Sequence, residues 1–219
     1  MNIIHLISGP IADNTYILYD ESNECAIVDA PFECAKQIEP IIKEKGLVVK
    51  YILITHTHWD HIGGLAELKN ATNATICVHK EDAFRLKQEI ASLGGMDVQI
   101  QTVEPDKIIK DGEILSCGNM QIEVLHTPGH SPGAVCYLER KFGNVFVGDT
   151  LFHLSIGRTD FPGSDYATLI NSIKTKLLVL PDDFKVFCGH NESTTIGFER
   201  NNNPYLDIDK SMPGKVPLR

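Results

Sequence analysis

Apolar residues recur in this chain as short bursts, each bounded by Gly, Pro, Asn or charge. Residues 14–19, 25–29, 51–55, 75–79, 121–125, 134–138, 144–147 and 185–188 have the length and the β-branched or aromatic content of strands. Helical spacing predicts helices over 34–45, 65–70, 80–92 and 166–178, the last with Leu169, Ile170, Ile173 and Leu177 along one face. On pattern alone the class is mixed α and β.

With 219 residues, 42% of them apolar, the chain can bury a substantial core. One domain is expected over residues 1–206. The tail, residues 207–219, mixes two prolines, a glycine and charge, and is expected to be poorly ordered or docked on the surface. A net charge of −9, with no Lys/Arg run longer than a pair, argues against nucleic acid as a partner. No apolar run is long enough to span a bilayer, so no membrane partner is expected. The start Met1-Asn2-Ile3-Ile4-His5 lacks a secretory pattern. Six scattered cysteines without a CxxC pair read as reduced thiols of a cytoplasmic protein, and Cys188 reads as a core residue at a strand end.

Chemistry enters at Thr55-His56-Thr57-His58-Trp59-Asp60-His61, which packs His56, His58, Asp60 and His61 into one loop directly after an apolar run. Imidazole nitrogen and carboxylate oxygen suit zinc, iron and manganese, and this spacing lets one loop face two neighbouring ions. Three further strands deliver similar groups just past their ends: His130, Asp149 and His190. Loops on a rigid scaffold commonly carry chemistry in this way.

In order and approximate spacing, these seven residues resemble the HxHxDH, His, Asp, His pattern of the metallo-β-lactamase superfamily. The resemblance implies an α+β fold, an αββα four-layer sandwich with metals at one edge between two sheets. The flanks at 126–133, 148–152, 157–160, 195–201 and 203–206 are similar to the short, single-domain glyoxalase II-like hydrolases, and the likeness runs from Asn14 to Leu206. It implies that His56, His58 and His130 hold one divalent ion and that Asp60, His61 and His190 hold the other. Asp149 bridges them. The ions, zinc with iron or manganese as alternatives, would share a hydroxide that Asp60 helps to orient. The implied reaction is hydrolysis of a small-molecule thioester, an S-acyl glutathione with S-lactoylglutathione as the family's typical substrate, by a monomer or homodimer. A thiolate leaves with little need of a strong general acid, so a thioester suits such a site without an obvious acid beside the metals being required.

The chain departs from the larger glyoxalase II enzymes in two places. It is too short for their C-terminal helical domain, and Asn191-Glu192 follows His190 where they have Glu-Tyr, so a tyrosine contact to glutathione is missing. Arg158 aligns with a basic residue that contacts glutathione there and is the expected substrate contact, with a structural salt bridge as the other reading. A persulfide dioxygenase, with one Fe(II) on residues matching His56, His130 and Asp149, is the main alternative. Residues 157–161 resemble that branch, whereas Trp59 and residues 62–64 look more like the hydrolases. A lactonase would use the same donors. A β-lactamase fits less well because Asp149 stands where many carry Cys or Ser, and a flavodiiron protein because His58 stands where they carry Glu. A non-catalytic role would predict a degraded ligand set. The remaining histidines, His5, His79, His126 and His153, read as packing or surface residues, with His126 a candidate support for His130. Trp59 reads as pocket lining or core.

Overall fold

The computed structural model describes residues 1–88, 90–93 and 96–206, so the expectation for the tail lies outside the described residues. Successive strand side chains point to opposite faces, and this alternation sorts the apolar residues into three cores. The first sheet runs in the order β1 (Asn2–Ser8), β2 (Asp13–Tyr19), β3 (Glu24–Val28), β4 (Val48–Leu53), β5 (Thr75–His79) and β6 (Lys107–Ile109). The second runs from β7 (Ile114–Cys117) through β8 (Met120–His126), β9 (Val135–Glu139), β10 (Asn144–Gly148) and β11 (Lys185–Cys188) to β12 (Thr194–Thr195). Five helices accompany them among the described residues: α1 (Cys34–Lys45), α2 (Trp59–Ile62), α3 (Leu65–Thr72), α4 (Tyr166–Ser172) and α5 (Ile196–Asn202).

Tyr16, Leu18, Ala26 and Val28 of the first sheet meet Ile122, Val124, Val135, Tyr137 and Phe146 of the second in a central core. The intervening Ile17 and Ile27, with Ile52 of β4 and Ile76 of β5, face outward and pack on Ile38 of α1 and on Leu65 and Leu68 of α3. On the far side, Cys136, Leu138, Val145 and Val147 pack on Leu169, Ile173, Leu177 and Ile196. The layers are therefore α, β, β, α, the sandwich that the resemblance implies. Strands β3 to β6 are parallel neighbours, as are β10 and β11. Parallel pairs need long crossovers, and α1, α3 and α4 lie within them.

All eight expected strands are present, with ends shifted by a few residues. Strand β1, the short β6, β7 and β12, and two small hairpins were not expected. The helix expected over 80–92 is not formed. A single 3₁₀ turn covers Ala83–Lys87, and Ile90–Leu93 pairs antiparallel with Met96–Gln99. The reason is Asp82, which is fully buried. Its carboxylate accepts from Thr57 N (3.2 Å), Ser131 Oγ (2.7 Å), Gly133 N (2.8 Å) and Arg85 Nη1 (2.8 Å). This tertiary hub joins the loops after β5, β4 and β8, and it overrides a helical propensity worth only tenths of a kcal/mol per residue. Asp82→Ala would leave these donors without an acceptor and is expected to cost about 3–5 kcal/mol of stability, read by chemical denaturation. The helix expected over 166–178 is present but changes pitch. Beyond Ser172 it widens into a π turn over Ile173–Leu177, with Leu178 N donating to Ile173 O at 2.9 Å.

Candidate metal centre

All seven motif residues converge at one edge of the sandwich. Thr55 to His58 follow β4, and His58 starts the single turn α2, whose first residues bring Asp60 and His61 inward. His130 lies in the turn between β8 and β9, Asp149 directly follows β10, and His190 follows β11 by one glycine. Close approach is needed at that glycine. A methyl group on Gly189 would overlap Oδ1 of Asp149 and sit 2.6 Å from Cε1 of His61.

Two half-sites result. In the first, Nε2 of His130 lies 2.9 Å from Nδ1 of His58 and 3.2 Å from Nε2 of His56. Donors held tetrahedrally around zinc sit about 3.4 Å apart, given metal–ligand distances of about 2.0–2.1 Å, so the spacing fits a shared cation. The outer ring nitrogens are held in turn, His130 Nδ1 by the carbonyl of Arg158 (2.8 Å) and His56 Nδ1 by Thr55 Oγ1 (3.2 Å). Such partners fix the tautomer and turn the inner lone pair toward the site. Burial, reinforced by His130, holds His58 down to about 3, and burial with neighbouring His61 holds His56 well below the imidazole range. A lowered pKa favours the neutral imidazole, the form that binds a metal.

In the second half-site, His190 Nε2 lies 3.2 Å from Oδ2 of Asp60, and His61 Nε2 lies 3.7 Å from the same oxygen. Asp149 faces both halves, with Oδ1 3.3 Å from His61 Nε2, and Oδ2 3.6 Å from His130 Nε2 and 3.7 Å from His190 Nε2. His61 Nδ1 is held by buried Asp29 at 2.9 Å, and Asp29 also accepts from the amide and hydroxyl of Thr55 at 2.8 Å each. Burial opposes charge on His61, but Asp149, Asp29 and Asp60 override it and hold its pKa well above the imidazole range. Burial likewise opposes charge on Asp149, yet His61 above all holds that carboxyl below the usual range. Nε2 of His61 and Oδ1 of Asp149 are buried without a hydrogen-bond partner. Orphaned buried polar atoms are costly. Together with the imidazole triangle, they fit a donor set built for divalent cations.

A cavity of about 1190 Å³ opens over this edge, lined among others by Ile11, Trp59, Arg85, Phe152, Arg158 and Phe161. Trp59 also leans on Phe32, with ring centroids 6.1 Å apart. Arg158 reaches the cavity, where it pairs with both oxygens of Asp160 (2.9 and 2.8 Å) and lies 4.3 Å over the Phe161 ring. That pair is exposed. Exposed pairs contribute about 0–1 kcal/mol, so a substrate carboxylate can compete for the guanidinium. Arg85, also on the wall, carries no signal in the sequence beyond lying inside the helix expected over 80–92. His153 lines the cavity and pairs with Glu192. His126 stacks on His79 at 4.0 Å and holds the carbonyl of Pro132 at 2.9 Å, two residues from His130. His5 bonds Oδ1 of Asn14 at 2.7 Å. All six cysteines are free and buried, Cys188 among them. No described helix is long and apolar enough to cross a membrane.

Asp13 was also missed. It begins β2 and is fully buried, and its Oδ1 lies 3.5 Å from His190 Nε2. Burial pushes its carboxyl up to about 7. A lone Asp before Asn14 carries no ligand spacing, so only the fold reveals it.

The chain is similar to known proteins in sequence and in fold. The family model of the metallo-beta-lactamase superfamily matches residues 9–190. The hydroxyacylglutathione hydrolase GloC of Haemophilus influenzae is 39% identical over 211 residues, covering 94% of this chain and 99% of that protein. Among solved structures, the B3 metallo-beta-lactamase BLEG-1 superposes with a TM-score of 0.87 at 36% identity, covering 94% of this chain and all of that one. TTHA1623, solved in a di-iron-bound form, gives 0.80 at 31% identity, covering 93% of this chain and all of that one.

Proposed function

Since the chain belongs to the metallo-beta-lactamase superfamily and is a metallo-hydrolase, we propose that it is a binuclear thioester hydrolase acting on S-acyl glutathione or a related acyl-thiol. The observation that carries this reading is the position of Asp149, with one oxygen toward His61 and the other toward His130 and His190. His56, His58 and His130 would hold one divalent ion, zinc or alternatively iron or manganese, and Asp60, His61 and His190 the second. When bound, the ions would supply Lewis-acid polarisation of the acyl carbonyl and lower the pKa of a water toward about 7.

The chain's own residues do the rest. Asp60 lines the cavity beside His190, and on this reading it would accept a hydrogen bond from the attacking water and fix its direction. Trp59, Phe152 and Phe161 give apolar walls against an acyl chain, and Arg158 supplies positive charge for a carboxylate of a glutathione-like thiol. No strong acid is needed at the leaving group, because a thiolate departs unprotonated far more readily than an amine.

The test is to purify the protein from a defined metal supply, count ions per chain, and compare thioester hydrolysis with persulfide-dependent oxygen uptake. Two ions and thioester cleavage are expected. One iron with oxygen uptake and no hydrolysis would make it a dioxygenase instead.

A further inference from the structure

Four side chains crowd the second half-site, where the motif accounts for three. Asp13, Asp60, His61 and His190 each offer an atom within 4.8 Å of the others. Both oxygens of Asp13 are buried and neither has a hydrogen-bond partner. The turn before β2 makes room for this carboxylate, since Gly9 has φ 75 and a Cβ there would overlap Oδ2 of Asp13. Its direction is set by backbone across the seam between the sheets. Asp13 forms an isolated β-bridge with His190, and Asn14 N donates to Gly189 O at 2.8 Å. The Asn14 amide then donates to the carbonyls of Cys188 (3.0 Å) and Asn191 (2.9 Å). A buried carboxylate held this firmly against other carboxylates, with no donor of its own, is costly unless a cation faces it.

We infer that Asp13 is a donor carboxylate of the second half-site, completing a set of two carboxylates and two imidazoles beside the shared Asp149. This assignment rests on the binuclear reading above. It makes the half-sites unequal, because the first presents only imidazoles besides Asp149, and carboxylate-rich sites suit harder ions.

Asp13→Asn keeps size and shape while removing the charge. Wild type and D13N are stripped with chelator, titrated with zinc, and assayed for ions per chain and for apo melting temperature. Wild type should take up two zinc ions. D13N should keep the first and bind the second about 10–100-fold more weakly, the loss typical when a metal site is stripped of one supporting group. Apo D13N should melt no lower than apo wild type, because the carboxylate it replaces has no hydrogen-bond partner to lose. Loss of a merely structural carboxylate would lower the melting temperature. Two zinc ions held by D13N at wild-type affinity overturn the role of Asp13 and leave the binuclear reading standing. A single zinc on wild type overturns both.

Discussion

Asp149→Ala is expected to release both ions together and to lower kcat/KM for thioester cleavage by about 10³-fold or more, on the order of 4 kcal/mol of transition-state stabilisation. The reason is positional. Asp149 lies within 3.7 Å of ring nitrogens from both half-sites, so removing it strips each of a donor at once. His58→Ala, by contrast, removes a donor that contacts only the first half-site and should leave one ion per chain. Elemental analysis of the two variants after identical dialysis separates the cases. Two tightly held ions on the Asp149 variant would refute the bridging role.

Gly189→Ala is expected to abolish activity without replacing any of the proposed ligands. The added methyl would overlap Asp149 Oδ1 and crowd His61, groups from opposite sides of the site. Overpacking of this kind costs about 1–3 kcal/mol, a fall of several degrees in melting temperature for a chain of this size. The fold should survive, since the surrounding strands keep their pairing. Weakened ion retention with an intact circular dichroism spectrum is the expected pattern, and wild-type activity would show that the loop can yield.

The central strands were legible in the sequence because they are apolar on both faces and therefore read as unbroken bursts, as in 134–138 and 144–147, whereas their stacking into a sandwich came only from the family resemblance. The same burial hid the pairing, since periodicity cannot say which of two buried faces meets the other sheet. Strand β1 escaped notice because its side chains are half exposed and its pattern is weak. Residues 80–92 misled for a different reason. Asp82 reads locally as one charge in a helical run, yet its partners Ser131 and Gly133 lie far along the chain. The candidate ligands after β4 were visible because they are adjacent in sequence, and His130, Asp149 and His190 because each sits past a strand with a glycine beside it. Asp13 has no neighbour of that kind. Its meaning depends on His190, which reaches it only once the two sheets have met.

Neither sheet carries a whole half-site. His56, His58, Asp60, His61 and Asp13 belong to the first, and His130, Asp149 and His190 to the second. On the ligand assignment proposed above, each cation is a cross-link between the N-terminal and C-terminal parts of the chain. A polypeptide emerging from the ribosome would hold only fragments of a chelator until the last strands of the second sheet had been made and docked. Metal loading is then a late step in the protein's life, and a shortage of metal would leave an assembled sandwich whose two leaves are joined without their ionic rivets.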